Sequence, residues 1–318
     1  MREPRVGSLF SGIGGLDLGL QRAGFAHAFL CENNPYRRDL LATRWPRVPV
    51  FEDVRTFPAA GHVDVLCGGF PCQDLSVAGK RAGLGGPRSS LFFQFARCAD
   101  ALVGDGDWIL VENVPGLLSS HGGRDFAVVL ATLAELGFYD CAWRVLDSRH
   151  FGVPQRRRRV FVVARRARGR RACQVLLEPE SGGGDFEASI AAWPNDPAAS
   201  LSGLGTGGPD DNDGQAGRVI AVAIAENQRA EVLETDYAHQ LSSGGGKPGQ
   251  GYSAARTAQG VRRLTPMECE RLQSLPDGWT DLGDTPDAPR YAALGDAVTA
   301  NVSEWIGRRL YAAIREDR

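Results

Sequence analysis

The sequence has few of the features that mark membrane, secreted or strongly basic proteins. No stretch approaches the ~18 consecutive apolar residues of a membrane-spanning helix. The first residues, MREPRVGSLF, lack the charged and then apolar leader of an exported protein. Seven cysteines among 318 residues, none in a CxxC pair, do not make a disulfide framework. These absences predict a cytoplasmic protein with free thiols and no membrane association.

Excess positive charge is also absent, since the formal net charge is −2. A basic footprint over the whole chain, typical of many nucleic-acid-binding proteins, is therefore excluded. The charge is unevenly divided: residues 1–166 hold 21 Lys and Arg against 16 Asp and Glu, whereas residues 167–260 hold 7 against 12. Any contact with nucleic acid must be local. Nearly all basic residues are arginines, which suit phosphates and base edges but are also common in proteins from GC-rich genomes.

Apolar periodicity divides the first half of the chain into alternating strands and helices. This alternation predicts a parallel sheet covered on both faces, with a binding site beyond the carboxyl ends of its strands. The length exceeds what one core normally supports, so we expect a second, smaller domain. Residues 178–260, rich in Gly, Asp, Ser and Pro, fit that part. Strands are predicted at 5–10, 25–31, 63–69 and 108–114, and helices at 91–103 and 126–137. The later segments YDCAWRVLDS and RVFVVA are also strand-like.

Periodicity is weak beyond residue 167, where only residues 218–225 indicate a strand. Order returns near Thr265, a predicted N-cap with Pro266 at the first helical position and Glu268 three residues after the cap. The final segment, ALGDAVTANVSEWIGRRLYAAI, predicts a tight turn followed by an amphipathic helix.

A glycine-rich turn, SGIGG, follows the first predicted strand and leads into a short helix. Glycine at such a turn lets a ligand approach the main chain closely. Glu32 ends the next strand, where an acid can accept hydrogen bonds from ribose hydroxyls, and Asp53 could accept one from an adenine amino group. Asp17 stands where the GxGxxG pattern has its last glycine, so the dinucleotide fingerprint is not matched. NAD, FAD and S-adenosylmethionine all remain open at this point.

Three further sequence features contain side chains that could take part in a reaction: a cysteine, a glutamate and a run of arginines. Cys72 lies in GGFPCQ, at the start of a glycine-rich loop where an exposed thiol could act as a nucleophile. Glu112 ends an apolar strand, and such surroundings raise a carboxyl pKa, so it could hold a proton near neutrality. In QRRRR, alternate residues of an extended segment share a face. This predicts Arg157 and Arg159 on one side and Arg156 and Arg158 on the other, so that one pair can face the site and the other can meet phosphate or solvent.

Taken in order, six blocks resemble the DNA (cytosine-5) methyltransferase family of bacteria and phages. They are SLFSGIGGLDLG with Glu32, GGFPCQ, ENV, QRRRR, RRLTPMECERLQSLPDGW and ALGDAVTANV, and they cover about residues 5–166 and 261–310. The resemblance implies an α/β fold with a Rossmann-like S-adenosylmethionine-dependent methyltransferase sheet and a smaller, loop-rich target recognition domain. It implies a catalytic domain of residues 1–177 plus 290–318 and a target recognition domain of residues 178–289.

The resemblance also implies roles for individual residues. Cys72 would add to carbon 6 of a flipped-out cytosine, and Glu112 would hydrogen-bond its ring nitrogen and amino group. Arg157 and Arg159 would complete the catalytic set, with Arg159 on the cytosine carbonyl oxygen. The cofactor would be S-adenosylmethionine, with no metal. Its predicted binding residues are Phe10, Ser11, Gly12, Ile13, Gly14, Gly15, Glu32, Asp53, Val54, Pro71, Asp296 and Val298.

One departure concerns the last block, which has Asp296 where the family usually has Asn. The added acid either weakens cofactor binding or caps the following helix. The implied partner is double-stranded DNA, with functional pairing to a restriction endonuclease and action as a monomer.

Three alternatives remain. The first is the same chemistry on tRNA, and the second is a non-catalytic DNA-binding protein. The third is a nicotinamide or flavin oxidoreductase, which the missing glycine disfavours. Another fold of RNA cytosine methyltransferases uses two cysteines, but the place of Cys67 inside a predicted strand argues against it.

Overall fold

A computed structural model describes most of the chain outside two long gaps. The described residues are 2–71, 91–177, 222–226, 232–235, 238–239, 241, 253–257 and 260–317. The chain divides into two compact units. The first comprises residues 1–146, 158–182 and 303–318, and the second comprises residues 147–157 and 183–302. Within the described residues, no helix is long and apolar enough to cross a membrane.

A seven-stranded sheet lies at the centre of the first unit. Its strands are β1 (Arg5–Leu9), β2 (Ala26–Cys31), β3 (Val50–Phe51), β4 (Val63–Gly68), β5 (Val103–Asn113), β6 (Asp140–Asp147) and β8 (Arg158–Arg165). The short strand β7 (Gln155–Arg156) lies between β6 and β8 in the chain but belongs to another sheet. The spatial order is β3-β2-β1-β4-β5-β8-β6. Strands β1 to β5 pair in parallel. The predicted α/β class is confirmed.

Helices of the first unit cover this sheet through apolar faces. They are α1 (Gly15–Arg22), α2 (Pro35–Arg44), α3 (Leu91–Leu102), α4 (Arg124–Glu135) and α5 (Arg171–Leu176). In α3, Phe92, Phe95 and Leu102 are buried at intervals that place them on one side of the helix. They join Leu66 and Ile109 of the sheet in one hydrophobic core.

Strand β8 departs from the predicted all-parallel sheet, because it pairs antiparallel with β5. Only residues 148–157 separate β6 from β8, and a parallel crossover needs about a dozen residues or more. The reversal brings the start of β8, rather than its end, to the carboxyl end of β5, where Asn113 lies opposite Val160. Arg159 therefore lies at the edge of the sheet where the binding site was predicted.

Among its described residues, the second unit contains two further sheets. The larger is antiparallel, in the order β10-β9-β12-β13, and in the smaller one β7 pairs in parallel with β11. The strands are β9 (Val222–Glu226), β10 (Val232–Thr235), β11 (Ala238–His239), β12 (Ser253–Thr257) and β13 (Gly260–Arg263). Only β9 was indicated by periodicity.

Three helices follow these strands: α6 (Pro266–Leu272), α7 (Asp287–Asp296) and α8 (Ala300–Glu316), of which the last lies mostly in the first unit. The predicted N-cap of α6 is confirmed. The Thr265 hydroxyl accepts the Glu268 amide at 3.2 Å, and the Glu268 carboxylate accepts the Thr265 amide at 2.7 Å. This reciprocal arrangement satisfies two main-chain donors at the start of the helix.

Candidate active site and cofactor turn

The turn between β1 and α1 has an unusual backbone. Phe10, Gly12 and Gly14 have φ values of 56°, 58° and 79°. A non-glycine residue in this left-handed region stores roughly 1–3 kcal/mol of strain, and such strain is concentrated at ligand sites. A Cβ added at Gly12 would meet no atom within 4 Å. The turn therefore combines a strained residue at the strand end with open space beside its main chain.

Glu32, at the end of β2, holds this turn. Its Oε2 accepts the Gly12 amide at 2.8 Å and its Oε1 accepts the Asn34 amide at 2.9 Å. The residue is only 6% exposed. Each carboxylate oxygen has about two lone-pair sites, so both oxygens can accept a further donor. The structure thus brings two predicted cofactor residues together and leaves acceptor capacity for hydroxyl groups.

Asp53, just beyond β3, provides an ionised acceptor. Its carboxylate accepts hydrogen bonds from Nε of Arg55 at 3.0 Å and from a terminal guanidinium nitrogen of Arg55 at 2.6 Å. These bonds lower the pKa of Asp53. An ionised carboxylate can only accept hydrogen bonds, which suits a ligand amino group. The next residue, Val54, is buried.

The helix that ends the chain also supports the turn. Ser303 of α8 is fully buried, and its hydroxyl donates to the Gly15 carbonyl at 3.1 Å. Ser11 donates its amide to the Cys31 carbonyl at 3.0 Å, which ties the start of the turn to β2. Ser11, Ile13, Gly14 and Gly15 are all buried. The turn of residues 10–15 is therefore part of the packed body of the first unit.

A second cluster lies at the ends of β4 and β5. Oε1 of Glu112 lies 3.1 Å from Nε of Arg159, and both residues are buried. A Cβ added at Gly69 would lie 2.8 Å from Oε2 of Glu112. Any larger residue at position 69 would therefore displace the Glu112 carboxylate from this position. The pair combines an oriented carboxyl with a guanidinium that a planar, polar ring could contact.

Asn113 ties the chain before the predicted nucleophile to the same place. Its Nδ2 donates to the Phe70 carbonyl at 2.9 Å. Pro71 follows and is exposed. Cys72 lies outside the described residues, as do residues 73–90 of the loop. The described chain thus stops one residue before Cys72, beside Glu112.

The four consecutive arginines follow the predicted alternation. Arg157 is 1% and Arg159 8% exposed, whereas Arg156 and Arg158 are exposed. In the second unit, a terminal nitrogen of Arg157 donates to the Gly295 carbonyl at 2.9 Å. Arg159 contacts Glu112 in the first unit. The two inward arginines therefore serve different parts of the molecule.

The last predicted cofactor residues lie between α7 and α8 in the second unit. Asp296 is the final residue of α7 and is exposed, and Val298 is half-buried in the turn of residues 297–299. Thr299 is the residue directly before α8. The predicted tight turn is therefore present, and it separates two helices.

Two of the described cysteines, Cys67 and Cys31, are poor nucleophiles. Burial raises the pKa of Cys67 well above its ordinary value, and it raises the pKa of Cys31 to about 12. A buried thiol in apolar surroundings is inert. Cys67 is a core residue of β4, which argues against the chemistry that requires two reactive cysteines.

Sequence reasoning did not single out Gly69 or Ser303. The doubled glycine before Phe70 was a signal for a close backbone approach. Ser303 lies on the buried face of an amphipathic helix, where a lone hydroxyl needs a hydrogen-bond partner. Neither pattern identifies its partner from the sequence, and only the structure shows that Gly69 lies against Glu112 and that Ser303 bonds to Gly15.

The parallel sheet with one reversed strand, and the glycine turn with an acid at the end of the next strand, define a Rossmann-like S-adenosylmethionine-dependent methyltransferase fold. Residues 5–181 and 210–312 match the family model of the C-5 cytosine-specific DNA methylases. The chain belongs to this family.

Two type II methyltransferases are similar to this chain in sequence, and one solved structure is similar in fold. The type II methyltransferase M2.BsuMI of Bacillus subtilis (strain 168) is 29% identical over 313 residues, which cover 96% of this chain and 75% of that protein. M.Eco47II of Escherichia coli, also a type II methyltransferase, is 30% identical over 348 residues, covering 94% and 77%. A DNA modification methyltransferase encoded within an E. coli prophage has a similar fold, with a TM-score of 0.64 at 20% identity over 98% of this chain and 100% of that chain.

Proposed function

We propose that this protein transfers a methyl group from S-adenosylmethionine to carbon 5 of cytosine within a short, specific sequence of double-stranded DNA. The family assignment supports a cytosine substrate. The observation that carries the proposal is the Glu112–Arg159 pair, 3.1 Å apart and buried. Asn113 holds the chain leading to Cys72 beside this pair.

The cofactor turn fits S-adenosylmethionine in its chemistry. Glu32 would accept the two ribose hydroxyls, and Asp53, kept ionised by Arg55, would accept the adenine amino group. The open space at Gly12 would admit the ligand to the main chain. Bound S-adenosylmethionine supplies a methyl group made reactive by its sulfonium charge. The remaining proposed binding residues are Phe10, Ser11, Ile13, Gly14, Gly15, Val54, Pro71, Asp296 and Val298.

Cys72 would make the cytosine reactive. Its thiolate forms a bond to carbon 6, and the electron pair of the carbon 5–carbon 6 double bond moves towards carbon 5. Carbon 5 would then form a bond to the methyl group while the bond from that methyl group to the sulfonium sulfur breaks and leaves its electron pair on the sulfur. A base, such as water, removes the carbon 5 proton, the double bond forms again, and the bond to sulfur breaks to restore the thiolate.

Glu112 and Arg159 would stabilise the charge that this addition creates. Protonated Glu112 donates to the ring nitrogen of cytosine, where negative charge develops. Arg159 contacts the cytosine carbonyl oxygen. Because Arg159 pairs with Glu112 in this structure, its transfer to the base would free the carboxyl to carry the proton. Arg157, bonded to Gly295, would act as a positioning residue.

A cytosine inside a duplex cannot reach these groups. The base must leave the stack, which costs a few kcal/mol. The loop after Pro71 would close over it, and its glycines suit such a movement. Residues 178–289 would read the surrounding bases. We propose that the protein acts on DNA as a monomer and is paired functionally with a restriction endonuclease.

The test is methylcytosine-resolved sequencing of DNA from a methylation-deficient host that expresses the protein. We expect methylation at one short motif with the wild type and none with Cys72→Ser. S-adenosylmethionine affinity of Cys72→Ser should stay within about twofold of the wild type, because a serine hydroxyl keeps the shape but not the nucleophile. Cys173→Ser, a half-buried cysteine of α5, is the matched control and should methylate normally.

Two results would overturn parts of this proposal. Unmethylated DNA from a protein that binds S-adenosylmethionine would exclude DNA as the substrate, and tRNA would be tested next. Equal loss of cofactor binding and methylation in Cys72→Ser would show that Cys72 is structural.

A further inference from the structure

A buried polar network in the second unit surrounds residues 294–300, which comprise the end of α7, the turn of residues 297–299 and the first residue of α8. Gln273, at the end of α6, is fully buried and contacts both ends of this turn. Its Nε2 donates to the Leu294 carbonyl at 3.0 Å, and its Oε1 accepts the Thr299 hydroxyl at 2.8 Å. Its own carbonyl accepts the Ala300 amide at 2.9 Å. One residue thus holds the turn at three points.

Residues 147–157 hold the same turn from another part of the chain. The Ser148 hydroxyl lies 2.8 Å from the Thr299 hydroxyl, and since Thr299 donates to Gln273, Ser148 donates to Thr299. Arg157 donates to the Gly295 carbonyl at 2.9 Å. Three sequence blocks far apart in the chain therefore meet at one short turn.

Every contact in this network lies in the interior, where an unpaired polar group costs free energy. The side-chain groups of Gln273, Thr299 and Ser148 are hydrogen-bonded to one another or to the turn, and a buried network bonded in this way is rigid and specifies one arrangement. The turn itself contains no residue with positive φ, so its shape does not come from special backbone conformations. It comes from the polar side chains around it.

Residues 294–299 differ in exposure, and those that the network contacts are buried. Leu294, Gly295 and Thr299, which the network contacts, are buried, whereas Asp296 is exposed and Val298 is half-buried. The network therefore fixes the flanks of the turn and leaves Asp296 and Val298 accessible to a ligand.

We propose that Gln273 is a positioning residue for cofactor binding: it holds residues 294–300 so that Asp296 and Val298 are presented to S-adenosylmethionine. This inference rests on the proposed function, which assigns those two residues to the cofactor. The Thr299 hydroxyl joins Ser148 to Gln273 by hydrogen bonds, so Ser148 also helps to hold residues 294–300 in place.

The main variant is Gln273→Met, which keeps an unbranched side chain of similar length but removes both side-chain hydrogen bonds. We expect Kd for S-adenosylmethionine, measured by calorimetry, to rise roughly 10-fold or more, as expected for two buried hydrogen bonds. KM for S-adenosylmethionine should rise with it, while kcat at saturating cofactor changes less than about threefold, since the reacting groups are untouched. Amide hydrogen exchange of residues 294–300 in the cofactor-free protein should become faster.

Three further variants separate positioning from general stability. Thr299→Val removes the relaying hydroxyl at constant shape and should weaken binding in the same direction, and Thr299→Ser should restore it. Tyr291→Phe is the matched control, because it removes a single hydrogen bond of 2.8 Å, to the Leu264 carbonyl, in the same unit but outside the network. It should leave Kd within about twofold of the wild type.

The outcomes are distinct. A folded Gln273→Met protein with wild-type Kd would overturn the positioning role, as would equal weakening in Tyr291→Phe. If Gln273→Met does not fold, the comparison of Thr299→Val with Thr299→Ser tests the positioning role instead. Equal Kd values for S-adenosylmethionine in these two variants would overturn that role. Wild-type protein that does not bind S-adenosylmethionine would instead overturn the proposed function and this inference together.

Discussion

The two segments proposed to bind the cofactor differ in what determines their shape, which is the backbone in one and surrounding side chains in the other. In residues 10–15 of the first unit, the main chain itself takes left-handed conformations at Phe10, Gly12 and Gly14, and one carboxylate, Glu32, holds it. In residues 294–300 of the second unit, the backbone is ordinary and the shape is set by buried polar side chains.

This difference predicts how each segment responds to change. A turn shaped by its backbone depends on residues within the turn, because only glycine takes positive φ without cost. A turn shaped by side chains depends on residues distant in sequence, such as Gln273 and Arg157. Mutational sensitivity should therefore be local in the first segment and remote in the second.

The largest effect is expected for Gly14→Ala. The substitution would place a Cβ at φ 79°, only 2.5 Å from the Trp45 ring. Backbone strain and overpacking together should lower the free energy of unfolding by about 2–4 kcal/mol in urea titrations. Gly12→Ala is the matched control, because its φ of 58° carries strain but its Cβ meets no atom. It should cost about half as much, and equal losses would contradict the role given to Trp45.

Glu32→Ala should have the next largest effect, because it removes both the hydrogen bonds that hold the turn and the proposed acceptor of the ribose hydroxyls. Hydrogen bonds to a charged group contribute about 1.5–3 kcal/mol, so Kd for S-adenosylmethionine should rise roughly 10- to 100-fold by calorimetry. Glu52→Ala removes an exposed glutamate of the same unit and should bind normally. Unchanged affinity in Glu32→Ala would refute the ribose assignment.

Ser148→Ala should have the smallest effect and probes the end of the side-chain network. It removes one hydroxyl, while Thr299 keeps its bond to Gln273. The free energy of unfolding should fall by about 1 kcal/mol, and Kd for S-adenosylmethionine should change less than threefold. If Ser148→Ala raised Kd more than Gln273→Met does, Ser148 rather than Gln273 would be the residue that chiefly holds the turn.

Much of the first segment could be predicted from the sequence. The glycines of residues 11–15 and the acid at Glu32 indicate a ligand site because their special backbone and charge are properties of the residues themselves. The alternate burial of Arg157 and Arg159 followed from the two-residue period of extended chain. The capping box at Thr265 is a local pattern and was equally readable.

The rest depends on contacts between distant residues. Gln273 carries no local signal for its contacts, because its partners lie across a turn that folds back on it. The reversal of β8 depends on the length of the connection from β6 and on which strand pairs with it. Among the strands of the second unit, β10 and β12 are short and carry polar residues such as Glu234 and Arg256, so their periodicity is weak.

The reversed direction of β8 has a consequence for protein synthesis. Strand β5 leaves the ribosome before β8, so one side of its apolar segment WILV has unpaired main-chain groups in the growing chain. Such an edge is a template for pairing with other chains. Translation of residues 158–165 covers this edge and brings Arg159 to Glu112 in the same event. The same strand pairing thus covers the edge of β5 and forms the Glu112–Arg159 contact of the candidate active site.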